Sequence, residues 1–149
     1  MNLSKHFTVA ELSKTSVRNK DNTPSLRVID NLQALVDNVL QPIRDKCGPV
    51  IVNSGYRSPE VNKAVGGSKT SDHTLGMAAD IEVLGMDNKT LAEWIRDNLK
   101  FTQLILEFYT KGVPDSGWVH VSYSPDNLKN QTLTAKSVGG KTQYTPGIS

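Results

Sequence analysis

Leu104-Ile105-Leu106-Glu107-Phe108 and Trp118-Val119-His120-Val121-Ser122-Tyr123 are the two runs from which the fold can be read. The second alternates apolar and polar residues, the period of a half-buried strand, so Val119 and Val121 share one face and His120 lies on the other. The first is apolar until it closes on Glu107, and it is expected to pair beside the second. Working outward, Ala78–Val83 reads as a further strand and Val50-Ile51-Val52-Asn53 as a buried one. Asp87 or Asn88 is placed to cap a helix reaching about Leu99. Ser58-Pro59 opens another, with serine as cap and proline at the first position.

Towards the N-terminus, Thr8-Val9-Ala10-Glu11 has capping-box spacing. From Leu26 to Ile43 apolar residues recur at steps of three and four, predicting one long amphipathic helix. Asn22-Thr23-Pro24 is expected to open it and Gly48-Pro49 to end it. Gly66-Gly67-Ser68-Lys69-Thr70 reads as a flexible loop. At the other end, two alternating runs flank Gly139-Gly140 and predict a hairpin. The expected fold is α+β, a small, mostly antiparallel sheet with helices packed on one side. A single domain over 1–149 is expected, with its core at 6–123 and residues 124–149 as a C-terminal extension.

Composition narrows the function. With 17 basic and 15 acidic residues in 149 the charge is nearly balanced, and no basic stripe supports nucleic-acid binding. No run approaches membrane-spanning length and Met1–Lys5 has no apolar signal-like segment, so synthesis in the cytoplasm without membrane insertion is expected. A monomer is expected. The lone Cys47 excludes an intrachain disulfide and cysteine-rich metal motifs, and is expected as a small core thiol.

Chemistry concentrates in Ser71-Asp72-His73-Thr74-Leu75-Gly76-Met77-Ala78-Ala79-Asp80 and in His120. Two imidazoles and one carboxylate that leave a coordination position open are what a catalytic zinc ion requires, so one zinc per chain at His73, Asp80 and His120 is expected. Gly76 would permit the sharp path between the first two ligands. Hydrolysis also needs a proton carrier. Glu107 closes an otherwise apolar strand, which is out of place unless it faces a polar cleft. Asp115, in the turn Pro114-Asp115-Ser116-Gly117, is the competing base. Arg57, after a strand end and a glycine turn, is mounted to clamp a carboxylate or an oxyanion.

These stretches, with Ser54-Gly55-Tyr56-Arg57-Ser58, Asn62 and Val65-Gly66-Gly67, resemble the M15 zinc peptidases. That superfamily of D-Ala-D-Ala carboxypeptidases and dipeptidases shares its fold with the hedgehog signalling domain, and the small phage- and bacterium-encoded, endolysin-like branch is the most similar. The resemblance runs from His6-Phe7 to Tyr123. It implies zinc on His73, Asp80 and His120, Arg57 as substrate and oxyanion clamp, and Ser71 as a hydrogen-bonding neighbour of the substrate. Several branches carry the catalytic acid three residues before the last histidine, where this chain has Gly117. Hedgehog-like members carry a glutamate on the preceding strand, which Glu107 matches. Asp72 stands where many relatives have an amide. The implied activity is hydrolysis of a peptidoglycan stem peptide, at D-Ala-D-Ala or at L-Ala-D-Glu, by an enzyme that reaches the cell wall after release or delivery. The alternative is a non-catalytic, zinc-stabilised module that binds cell wall or serves as a virion part.

Overall fold

A computed structural model of the chain describes residues 1–68 and 70–149, so Lys69 of the expected loop lies outside the described residues. Six strands form one sheet: β1 (Val50–Ser54), β2 (Ala78–Val83), β3 (Gln103–Glu107), β4 (Trp118–Ser122), β5 (Gln131–Val138) and β6 (Lys141–Pro146). Their order is β1-β2-β4-β3-β5-β6. The two runs read first do pair, antiparallel, with Leu104 opposite Val121 and Ile105 opposite His120. Four of the five pairings are antiparallel; β3 with β5 is parallel, which makes the sheet mixed.

The alternation sorts the two faces. Ile81, Leu104, Leu106, Val119 and Val121 are fully buried and join one core with Leu32, Leu35, Val36, Leu40, Ile43, Leu91 and Ile95 from the helices. Each such side chain removed from water contributes roughly 1.5–3 kcal/mol, so the register is strongly specified. A slip by one residue would send Val119 and Val121 outward and His120 into oil. The helices are α1 (Val9–Leu12), α2 (Leu26–Leu35), α3 (Gln41–Cys47), α4 (Pro59–Ala64) and α5 (Asn88–Asn98). Thr8, Ser58 and Asp87 cap α1, α4 and α5 as their spacing implies.

The long helix departs from its reading at both levels. Ser25, not the Asn22–Pro24 segment, caps α2, its Oγ accepting from the Val28 amide at 3.3 Å. Asn22 is drawn away into the interior by the carbonyls of Ser13 and Tyr56 and the amide of Ser58. The helix is also not continuous, because a π-helical turn, Val36–Leu40, joins α2 to α3, and the Gln41 amide reaches back to the Val36 carbonyl. Pro42 follows directly; it has no N–H for the regular bond, and the wider turn accommodates that loss. Cys47 packs against the core but stays half-buried at its margin, outside the interior expected for it.

The hairpin around Gly139-Gly140 is present, with both glycines left-handed at φ 59° and 80°. It is no appendage to the sheet. β5 lies along β3 with Ile105 opposite Leu133 and Glu107 opposite Ala135, so residues beyond 123 complete the sheet next to the strand that carries Glu107. Among the described residues no helix is long and apolar enough to cross a membrane.

Candidate metal centre

Asp80 on β2 and His120 on β4 face each other in register, on the side of the sheet opposite the helical core. His120 Nδ1 is 3.0 Å from Asp80 Oδ1, and His73 Nε2 approaches the same oxygen at 3.3 Å. One donor atom from each of the three lies within 4.8 Å of the others, close enough to hold a metal ion. The strands fix two of the donors through the register that buries Val119 and Val121. A separate device fixes the third.

That device is the 3₁₀ turn Asp72–Leu75. Ser71 Oγ accepts from the His73 amide at 3.2 Å and starts the turn. Gly76 ends it at φ 74°, and a β-carbon there would lie 2.8 Å from Val28 Cγ1, so the chain needs glycine for both reasons. The His73 carbonyl accepts from the Arg57 amide at 3.0 Å, which ties the turn to the segment after β1. His73 itself is buried, and its Nδ1 lies 2.7 Å from the Gly55 carbonyl. Only an Nδ1 that carries its hydrogen can make that bond, which leaves Nε2 as the ring nitrogen that faces Asp80.

The electrostatics follow from burial and proximity. Burial alone would push Asp80 up, but hydrogen bonds and charge from His120 and His73 outweigh it and hold the carboxyl below the usual carboxylate range. It is therefore ionised at neutral pH, as a ligand must be. For His120 burial acts downward, and the hydrogen bond and charge of Asp80, helped by Glu107 and Asp72, raise it. Glu107 is pushed up, chiefly by burial, with Asp80 adding to the shift and His120 and a hydrogen bond from Trp118 opposing it.

The three donors lie along a cleft of about 580 Å³. Glu107 lines the same cleft, its Oε2 accepting from Trp118 Nε1 at 2.7 Å. Arg57 and Ser71 line it too, with Arg57 Nη2 at 3.4 Å from Ser71 Oγ. Arg57 Nε is buried with no hydrogen-bond partner among the described residues, so the guanidinium retains donor capacity for an anion. Asp115 is exposed and lies apart, in a hollow with Ile51, Leu84 and Pro114. His6 is engaged elsewhere, 2.8 Å from Gln41 Nε2. The structure thus brings His73, Asp80, His120, Glu107, Arg57 and Ser71 together and leaves Asp115 outside.

Gly117 explains where an acid can sit. It is left-handed at φ 63°, and a β-carbon on it would run into the Glu107 carbonyl oxygen, with Phe108 C at 2.7 Å. No side chain fits at that position on this backbone. Of the three carboxylates that line the cleft, Asp72 comes from the 3₁₀ turn, Asp80 from β2 and Glu107 from β3.

The cleft's aromatic residues were not among those expected at the site. Trp118 could have been found, because period-two alternation puts it on the face of His120. Phe108, left-handed at φ 56° and tilted against Trp118 with ring centres 5.4 Å apart, leaves the strand conformation where a regular β-strand was expected. Tyr144 comes from β6, and nothing local in the sequence signals it.

Fold and site together define a small α+β protein in which two histidines and one carboxylate converge, close enough to hold a metal ion, in a cleft that Glu107 also lines. The chain belongs to the M15 peptidase family: the family model for peptidase M15 matches residues 5–122. No protein of curated function matches it significantly. A peptidase is the activity that this membership supports.

Proposed function

We propose that the protein is a zinc-dependent peptidase that cuts stem peptides of bacterial peptidoglycan beside a D-residue. The observation that carries the reading is the convergence of His73 Nε2, His120 Nδ1 and Asp80 Oδ1 in one cleft with Glu107. Two imidazole nitrogens and one carboxylate oxygen, one imidazole already oriented by a backbone carbonyl, suit zinc better than the all-oxygen shells of magnesium or calcium. The substrate class rests on the resemblance to the endolysin-like branch and on Arg57, a cation placed for a peptide carboxylate.

Bound by these residues, zinc supplies Lewis acidity towards water and towards the scissile carbonyl. The chain's own groups do the rest. Arg57, anchored through its amide to His73 and aligned by Ser71, binds the anionic part of the peptide and fixes it along the cleft. Glu107 Oε1, the oxygen not held by Trp118, takes a proton from the attacking water as its oxygen bonds to the carbonyl carbon. When the C–N bond breaks, the same oxygen returns that proton to the leaving amine. Its upward-shifted affinity brings it nearer the operating pH, where a group can both accept and donate. Ile105 and Trp118 give the cleft an apolar flank. A zinc-stabilised module without catalysis would use neither Glu107 nor a partly unsatisfied Arg57.

The test is digestion of purified peptidoglycan by zinc-loaded protein, with new termini identified by mass spectrometry. Hydrolysis beside a D-residue is expected. Glu107→Gln should keep zinc while turnover falls by about two to four orders of magnitude, the usual scale of acid–base assistance. Intact stem peptides after incubation with fully metallated protein would refute the reading.

A further inference from the structure

The terminal hairpin reaches the cleft through one side chain. The family match ends at residue 122, and β6 lies wholly beyond it. Every residue of β6 is exposed, yet Tyr144 lines the cleft together with Glu107, Phe108 and Trp118. Register explains the reach. Trp118, Glu107, Ala135 and Tyr144 form one row across β4, β3, β5 and β6. Partners in register share a face of the sheet, so all four side chains belong to the catalytic side. Ala135 is the small member of the row, in register between Glu107 and Tyr144, both of which line the cleft.

The ring lies beside the fully buried Ala135, its cross-strand partner, and extends past it into the cleft. Tyr144 is 53% exposed. A large aromatic left half in water beside a reaction centre offers a flat apolar face with a polar tip, the form that packs on carbon–hydrogen-rich groups. Arg57 supplies the cleft's cation and Ser68, Thr70 and Ser71 hydroxyls; Phe108, Trp118 and Tyr144 supply its aromatic groups.

We infer that Tyr144 is a specificity-determining residue, the outer wall of a subsite that takes a carbon–hydrogen-rich group of the substrate next to the bond being cut. The inference rests on the peptidoglycan reading above and adds the side of the cleft on which the flanking group is held. Such a group comes from one of two parts of the same polymer: an aliphatic side chain of the stem peptide, or the face of the attached sugar.

Both sources are separated by measuring binding rather than turnover. Zinc-loaded Glu107→Gln protein is titrated calorimetrically with a free stem peptide and with the same peptide carrying its disaccharide, with and without Tyr144→Ala. Tyr144→Ala is expected to weaken binding about 3- to 10-fold, the range of an aromatic contact. Zinc content and melting temperature should not move, since the side chain is exposed on an edge strand. Tyr144→Phe should restore most of the lost affinity, which a structural role of the hydroxyl would not do. An equal loss on both ligands places the group in the peptide, and a loss confined to the disaccharide ligand places it in the sugar; either outcome supports the subsite. Unchanged affinity for both ligands would overturn it while leaving the proposed activity standing. Failure of both ligands to bind protein with Tyr144 intact would instead bring down the peptidoglycan reading and this inference with it.

Discussion

Asn22→Ala should destabilise the protein by much more than its loop position suggests, and should damage the site from a distance. Asn22 Nδ2 donates to the Ser13 carbonyl at 2.7 Å and to the Tyr56 carbonyl at 3.0 Å, while its Oδ1 accepts from the Ser58 amide at 2.7 Å. Alanine leaves all three without a partner. Ser13 is partly exposed and water can replace the lost bond there, whereas Tyr56 and Ser58 are buried. Two buried backbone groups left unsatisfied at about 1–3 kcal/mol each give a loss of roughly 3 kcal/mol. For a chain of this size that lowers Tm by about 6–12 °C. Tyr56 and Ser58 flank Arg57, so the folded fraction should also lose turnover through a misplaced guanidinium. Urea and thermal melts of the metal-loaded protein read the first effect, and kcat/KM below the transition reads the second. Asn22→Asp keeps the acceptor and removes both donors, so it should be at least as destabilising. A Tm within 2 °C of wild type for Asn22→Ala would refute the assignment of this residue as the clamp beneath the site.

Trp118→Phe removes the donor that favours ionised Glu107, so the acidic limb of the kcat/KM profile should move to higher pH; a limb that stays in place would show that the bond does not tune the base. Because Asp80 raises His120, a proton competes with metal at that imidazole. Below its shifted value zinc affinity should fall by about tenfold per pH unit, measured by chelator competition between pH 8 and pH 5, and a flat affinity would exclude His120 as a ligand. Gly117→Glu on a Glu107→Gln background should give an unstable protein rather than a rescued one, because a β-carbon at 117 meets the Glu107 carbonyl; recovered turnover with an unchanged melt would show that the turn can rearrange.

What short-range physics controls was legible in the residues alone. Alternation over Trp118–Ser122 placed His120 opposite its buried valines, and cap spacing located Thr8, Ser58 and Asp87, because strand faces and helix starts are set within a few residues. His73, Asp80 and His120 stood out as candidate metal donors through their residue types and setting, and the structure brings their donor atoms within 4.8 Å of one another; Glu107 stood out as a charge ending an apolar run. What pulled Asn22 inward was not legible, since its partners Tyr56 and Ser58 lie more than thirty residues away. The π turn before Pro42 was likewise hidden inside a periodicity that a π turn barely disturbs. That β5 of the terminal hairpin runs parallel to β3 emerges only in the folded chain, because the pairing depends on long-range register and carries no local signature. That pairing puts Ala135 beside Glu107 and delivers Tyr144 to the cleft, so the far wall of the site is a product of packing rather than of motif.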